Sequence, residues 1–325
     1  MCLRQKTYDM IGRKLYYVIY LYLSINNFFY CLGKKIKCKK KLYNIYFISN
    51  NILYSFLRGV FRIQDNKNNI MVEKINTNEL NLISVGDTDS NISKYINKLH
   101  YDYFIHLGDL CYMNDKKILL DDLSNQKNIL VPGCRESIYT GHNIWNNKQI
   151  NKFYKKKYYV KVIKTNTFII KIIIFHNYVF LNSSEYYNIV DFLNKTNYIF
   201  SDYTILISHC PPYSVSRHGP DYIIRSMLDI STIKNNIDLY LSGHEHCYMH
   251  FNINDTVFLV NGLGGGRGKI YDFYSFDKNL KKKYNKRQSL LRIKINMKHI
   301  IVKLITIDEK LIDEIIIKNK KYSTN

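Results

Sequence analysis

Short apolar runs that end in glycine, aspartate, asparagine or histidine dominate the chain from about residue 79 onward. They are rich in Ile, Val, Tyr and Phe, which is typical of buried strands, and segments of helical length separate several of them. We predict strands at 80–85, 101–107, 127–131, 167–175, 178–182, 203–208, 238–242 and 256–262. The stretch 289–318 predicts three further strands, with turns near Met297 and Asp308. The pattern favours an α/β protein with layered sheets.

The first 76 residues differ from the rest, and we interpret them as a basic, Tyr-rich extension to one domain at 77–325. A chain of 325 residues is long enough for one large core and short for two full domains. An apolar run at 15–32 lies between basic residues and is short for a membrane span of ~20 apolar residues. It fits a signal peptide, a signal anchor, a surface-bound basic segment or an extension packed on the domain. Targeting by this run would favour the secretory pathway or a membrane over the cytoplasm.

Charge and cysteine content exclude some classes of protein. The formal net charge is +22, and half of it lies in residues 1–75, which carry 14 Lys or Arg and three acidic residues. Such a charge attracts nucleic acid or an anionic membrane, but a codon bias towards Lys, Asn, Ile and Tyr explains it more simply. We find no aromatic-basic recognition motif, so nucleic acid is not a predicted partner. Seven cysteines without a C-x-x-C pair indicate neither a disulfide framework nor a zinc ribbon.

Metal-capable side chains stand at the ends of four predicted strands, in VGDTD (85–89), HLGDLCY (106–112), LISHCPPY (206–213) and LSGHEHCY (241–248). The order Asp, Asp with Tyr, His and His-x-His is the ligand set of a two-metal hydrolase, whose ions lie ~3.5–4 Å apart and share a carboxylate. Each motif alone is weak, because a lone GD or HxH is more often turn chemistry. Four motifs in this order, each after a strand, indicate a metal site.

We predict that Asp109 bridges the two metals. One shell would be completed by Asp87, Tyr112 and His246, and the other by His209 and His244. Alternate residues of an extended segment point the same way, so both histidines of the HxH pair would face the site and Glu245 would point elsewhere.

These motifs resemble those of the calcineurin-like metallophosphoesterases, and among them the purple (tartrate-resistant type) acid phosphatases, over residues 79–318. GDLCY (108–112) matches the family's GDxxY, SGHEH (242–246) matches its GHxH, and SHCPPY and SVSRHGP resemble the sequence around its metal-binding His. Asp87 matches the first Asp of the family's GDxG, with Asp89 in place of the Gly. The resemblance implies a four-layer β-sandwich flanked by helices, a phosphorylated substrate, and two metal ions, iron with zinc, manganese or a second iron.

The segment PGCRES (132–137) departs from the family, which has GNH followed by Asp or Glu at that point. Cys134 takes the place of the metal-binding Asn and Arg135 that of the His that assists the leaving group. A thiolate at Cys134 can bind zinc, and Arg135 can hold a phosphate oxygen, but a guanidinium does not exchange protons. His218 is the predicted substitute acid.

Three functions follow from these observations. We predict a phosphoric-ester hydrolase, an acid-phosphatase-like phosphomonoesterase in which a metal-activated hydroxide attacks phosphorus in line. The alternative is a catalytically impaired homologue that acts as a membrane-associated scaffold or interaction protein, since GNH is lost and the N-terminus is basic and apolar. Nucleic-acid binding rests on charge alone.

Overall fold

The computed structural model describes residues 69–110, 128–134, 158–175, 183–266 and 270–320. The chain forms a large unit, Asn66–Tyr178 with Phe192–Asn325, and a small one, Met1–Asp65 with Val179–Asp191. Of the small unit only 183–191, part of a helix, is described. All strands below belong to the large unit. The apolar run at 15–32 and the predicted strand at 178–182 lie outside the described residues.

Among the described residues, eight strands form one sheet. These are β1 (Ile70–Lys74), β5 (Tyr158–Lys164), β6 (Ile169–Phe175), β7 (Tyr203–Ile207), β8 (Leu239–Ser242), β9 (Tyr248–Ile253), β10 (Thr256–Asn261) and β11 (Leu280–Tyr284). Their order in the sheet is β1-β5-β6-β7-β8-β10-β9-β11. Strands β6, β7, β8 and β10 run parallel. The sequence did not predict β1, β5, β9 and β11. For β11 the reason is composition, because LKKKY forms the edge of the sheet and exposes its lysines.

Six strands in the described part of the chain form a second sheet. These are β2 (Glu79–Val85), β3 (Tyr103–His106), β4 (Asn128–Leu130), β12 (Ser289–Asn296), β13 (His299–Thr306) and β14 (Leu311–Lys318). Their order in the sheet is β14-β13-β12-β2-β3-β4. Strands β2, β3 and β4 are parallel. Strands β12 to β14 form an antiparallel meander, which confirms the prediction for 289–318.

The main core joins side chains of both sheets. Alternate residues of β6, such as Ile170 and Ile172, belong to the same buried cluster as Leu82 of β2 and Ile293 of β12. The opposite face of β2 is buried as well, because Ile83 packs in a second cluster that includes the helix Ser90–Ile96. Burial of both faces is typical of parallel strands covered by helices. The two packed sheets with few helices confirm the predicted layered α/β sandwich.

Helices occupy Ser90–Ile96, Ser183–Thr196 and Tyr222–Ile230, and a 3-10 helix occupies Thr232–Asn236. The first is capped by Asp89, whose side chain accepts from two backbone N–H groups of its first turn. The helices in the described part of the chain all lack the length and hydrophobicity that a membrane span requires.

Candidate metal centre

The predicted metal ligands stand where parallel strands end. Asp87, Asp109 and Cys134 follow β2, β3 and β4 of one sheet, while His209 and His244 follow β7 and β8 of the other. Because the carboxyl ends of parallel strands meet at one edge of a sheet, residues distant in sequence come together there. The sandwich then brings the two edges to the same site.

Three of these residues have a left-handed backbone. The φ angles are 57° at Asp87, 55° at Asp109 and 69° at His244. Residues other than glycine are uncommon in this region, and such conformations cluster at functional sites. Each lies in the turn just after its strand, so the turn sets the direction in which the side chain leaves the sheet edge.

Asp87 and His246 form one half of the site. Asp87 Oδ1 lies 3.5 Å from His246 Nε2, and both side chains are almost fully buried. Asp87 Oδ2 accepts a hydrogen bond of 2.7 Å from the backbone N–H of His244. Burial by itself would raise the pKa of Asp87, but the hydrogen bond and charge of His246 and the charges of His209 and His244 lower it. This carboxylate is therefore ionised and available to a cation.

Asp109, His209, His244 and Cys134 form the other half. His209 Nε2 lies 3.6 Å from Asp109 Oδ1. Cys134 Sγ lies 3.6 Å from His209 Nε2 and 3.2 Å from His244 Nδ1. The ligand atoms of Cys134, His209 and His244 lie within 4.8 Å of one another, and so do those of Asp87, Asp109 and His209. His209 thus belongs to both groups.

Electrostatic coupling in this half is strong. A hydrogen bond with Cys210 lowers the pKa of the Cys134 thiol; burial opposes this, and His244 and His209 lower it further. Burial would lower the pKa of His209, but Asp109, Cys134 and Asp87 outweigh burial and raise it well above the ordinary value. Negative groups thus gather here around imidazoles, an arrangement that a bound cation would stabilise.

Hydrogen bonds behind the site fix the orientation of the rings. His209 Nδ1 lies 2.7 Å from the carbonyl oxygen of Leu107, so it donates there and leaves Nε2 to face the site. The buried His106 links the two aspartate turns, because its Nδ1 accepts from Gly108 N at 3.1 Å and its Nε2 lies 3.0 Å from Thr88 Oγ1. Burial lowers the pKa of His106 to about 3, so the ring is neutral.

Two glycines permit the close packing around the carboxylates. A Cβ at Gly133 would lie 2.2 Å from Asp109 Oδ1, and a Cβ at Gly262 would lie 2.7 Å from Asp87 Oδ2. Either contact would displace a carboxylate. Gly262 could not be singled out from the sequence, because its contact with Asp87 spans 175 positions of the chain.

His218 lies at the edge of this centre. Its ring centroid is 4.5 Å from that of His244, and its side chain is 36% exposed. Its Nδ1 approaches Oε2 of the fully buried Glu245 to 3.3 Å, and its backbone N–H donates to Oε1 of the same carboxylate. Ser214 Oγ also donates to Oε1. Glu245 therefore holds the loop that carries His218.

Sequence reasoning missed two of these contributions. Glu245 was expected to point away from the metals, but its partners in 214–218 were not foreseen. Tyr271, which no motif contains, stacks on His246 with ring centroids 4.4 Å apart and planes 8° apart. No local signal could have identified it, since its contact with His246 spans 25 positions of the chain.

Other residues of the four motifs and of PGCRES lie outside the described residues or outside the two groups of ligand atoms. Tyr112 and Arg135 lie outside the described residues, and so does Cys111. Cys210 and Cys247 are buried. Asp89, which stands where the family has Gly, caps a helix and accepts from Gln288 Nε2 at 2.9 Å.

The donor set fits metal ions. Carboxylates and imidazoles suit divalent and trivalent first-row metals, and a thiol adds a softer donor. Asp87, Asp109 and His209 are buried, Cys134 and His244 are half-buried, and the ligand atoms within each group are close enough for an ion to bridge them. The assignment of each ligand stays a prediction.

Comparisons with known proteins agree with this geometry. A family model, calcineurin-like phosphoesterase, matches residues 84–248. The structure is similar to that of GAP50, the anchor in the inner membrane complex of Plasmodium, with a TM-score of 0.60 and 15% identity, over 76% of this chain and 91% of that one. It is also similar to the purple acid phosphatase PPD1 from yellow lupin (Lupinus luteus) seeds, with a TM-score of 0.54 and 14% identity, over 75% of this chain and 54% of that one. Among curated proteins no relative matches the chain.

Proposed function

Since the chain belongs to the calcineurin-like phosphoesterase family, we propose that it is a metal-dependent phosphomonoesterase of the acid phosphatase type. The observation that supports this most is the convergence of ligand atoms from Asp87, Asp109 and His209 within 4.8 Å of one another. Two bound ions, iron with zinc, manganese or a second iron, would activate a water molecule and neutralise charge on the phosphoryl group. A phosphorylated compound is the substrate class.

The residues of the chain would have distinct roles. Asp109 would hold both ions, with Asp87 and His246 on one side and His209 and His244 on the other. The grouping of its carboxylate with the ligand atoms of Asp87 and His209 within 4.8 Å supports this role. Tyr112 would complete the ligand set of the ion that Asp87 and His246 bind, and Arg135 would hold a phosphate oxygen. Both roles agree with the places of these residues in the motifs. The strained turns and buried hydrogen bonds keep these groups in position before substrate binds.

His218 would deliver a proton to the leaving group. Its Nδ1 side faces the buried carboxylate of Glu245, so Nε2 is the atom available for proton exchange. The ring also packs edge-on against Tyr271, with centroids 5.1 Å apart, which limits its rotation. Proton transfer of this kind contributes about 10²–10⁴-fold to a rate. Arg135 cannot replace it, because its guanidinium stays protonated.

Turnover and metal content together test this function. We expect full-length protein loaded with iron, zinc or manganese to hydrolyse an activated aryl phosphate, and Asp109→Asn to lose both metal and turnover. No turnover under any of these loadings would count against the proposal.

A comparison of leaving groups tests the role of His218. His218→Asn should slow hydrolysis of an alkyl phosphate by about 10²–10⁴-fold and that of an aryl phosphate much less, because a good leaving group needs no proton. The control is His100→Asn, which changes an exposed histidine outside the site. An equal loss of rate with both substrates would contradict a role of His218 in proton transfer.

A second candidate function is that of a catalytically impaired homologue that acts as a membrane-associated scaffold. Two observations favour it: Cys134 stands where the family has a metal-binding Asn, and the fold is shared with an inner membrane complex anchor. The apolar run at 15–32 would provide the membrane contact, in the secretory pathway or at another membrane. Flotation of full-length protein and a variant lacking residues 1–68 with lipid vesicles tests this. Membrane binding that depends on those residues, without turnover, would support it.

A further inference from the structure

Cys134 lies where three separate segments of the chain meet. It follows β4, whereas His209 follows β7 and His244 follows β8. Its Sγ faces the Nε2 of one imidazole and the Nδ1 of the other, at 3.6 and 3.2 Å. Among the described cysteines, it is the one that joins a group of at least three metal-capable side chains. Cys210 and Cys247 are buried without belonging to such a group.

We propose that Cys134 binds the second metal as a thiolate and, with His209 and His244, forms a sulfur-nitrogen-nitrogen site that takes zinc. This inference rests on the proposed metal-dependent function and specifies one of its two metal positions.

The distances match those of a zinc site. Zinc binds sulfur at about 2.3 Å and imidazole nitrogen at about 2.0–2.1 Å, and its structural sites are tetrahedral. With tetrahedral angles these bond lengths separate a sulfur from a nitrogen ligand by about 3.5 Å. The two observed separations of Sγ, 3.2 and 3.6 Å, are close to that value. An ion would therefore fit among the three side chains without a rearrangement of the strands.

The orientation of His209 agrees with ligation. Its Nδ1 is engaged by the Leu107 carbonyl oxygen at 2.7 Å, which fixes the tautomer and leaves the lone pair of Nε2 to a metal. Nε2 lies 3.6 Å from Cys134 Sγ and 3.6 Å from Asp109 Oδ1. One ion bound to this nitrogen could thus contact the thiolate and the carboxylate together.

Cys134 in place of the family's Asn changes which metal ion the second position prefers. An Asn offers a neutral hard oxygen, whereas a thiolate is soft and carries a negative charge. Soft thiolate ligands favour zinc, while carbonyl and carboxylate oxygens favour manganese. We therefore expect the second position to prefer zinc to manganese in this chain.

X-ray absorption at the zinc edge tests the proposal directly. We expect full-length protein loaded with zinc alone to show a sulfur shell at about 2.3 Å in addition to nitrogen and oxygen at about 2.0–2.1 Å. Cys134→Ser should lose the sulfur shell and Cys247→Ala should keep it. Cobalt in place of zinc should give a thiolate charge-transfer band in the wild type and none in Cys134→Ser.

Each result of the X-ray absorption experiment either supports or overturns the zinc site at Cys134. The proposal is overturned if zinc in the wild type has only nitrogen and oxygen neighbours, or if the wild type does not bind zinc. Both results come from the wild-type protein, so they hold even if a variant does not fold. A sulfur shell that persists in Cys134→Ser also overturns it. The readout is independent of turnover. A sulfur shell in protein that hydrolyses no aryl phosphate under any loading with iron, zinc or manganese would support the zinc site and count against the phosphoesterase. Hydrolysis by protein that shows no sulfur shell would do the reverse.

Discussion

The buried His106 should make the fold sensitive to acid. Its Nδ1 accepts a hydrogen bond from Gly108 N, which a protonated ring cannot do, and burial disfavours the charged form. The pKa is accordingly lowered from 6.5 to about 3. Below pH 6.5 the unfolded chain binds a proton at this position that the folded chain does not, so the free energy of unfolding falls as the pH falls.

The magnitude follows from the difference between the two states. One pKa unit corresponds to about 1.4 kcal/mol, so the loss is about 2 kcal/mol at pH 5 and approaches about 5 kcal/mol near pH 3. A native domain is stable by only about 5–15 kcal/mol in total. This loss of stability would also affect the candidate metal centre, because His106 links the turns that carry Asp87 and Asp109.

Urea unfolding of metal-free protein at pH 7 and pH 5 measures this loss. His106→Gln keeps an amide near Thr88 but does not titrate, so it should lose about 2 kcal/mol less between the two pH values than the wild type. Other groups titrate equally in both proteins and cancel in the comparison. The same loss in both proteins would refute the reasoning. Should the variant not fold, NMR titration of the wild type decides instead, since a His106 ring that protonates near pH 6 contradicts it.

Further predictions concern packing, pH and a partly buried hydrogen bond. Gly133→Ala should lower both the melting temperature and the metal content, because the new Cβ would lie 2.2 Å from Asp109 Oδ1; unchanged metal content would contradict this. Burial lowers the pKa of Lys171 to about 8 from 10.5, so the unfolded chain binds more protons between these values and the free energy of unfolding should rise with pH there. In urea titrations Lys171→Met should lack that rise. Asp313→Ala should cost about 1–3 kcal/mol in urea unfolding, because it removes the acceptor of the buried Tyr248 hydroxyl at 2.7 Å, and it should leave metal content unchanged.

Local sequence patterns were enough to predict many of the strands and the places of metal-capable residues at their ends. Apolar runs marked β2, β3, β7 and β8, and the polar residues that end them proved to lie at strand ends. These features are local. The alternation of apolar and polar residues, the end of a strand at Gly or Asp, and the i to i+2 spacing of His244 and His246 all depend on near neighbours in the chain. The C-terminal meander was predictable for the same reason.

Local pattern was insufficient for strands whose side chains are largely charged. Strand β11 carries three lysines and looks polar, and it is a strand because it pairs with β9 at the edge of the sheet. Edge strands need no continuous apolar run, since one side faces solvent.

Which side chains meet at the site depends on the packing of the whole domain and could not be predicted from the sequence. Cys134 contacts His209 and His244 from 75 and 110 positions away, and Glu245 receives His218 from 27 positions away. Such contacts depend on the order of parallel strands in two sheets and on how the sheets pack. The physical reason is that hydrophobic periodicity specifies which face of a strand is buried, whereas the partner across the site is fixed by the packing of the whole domain.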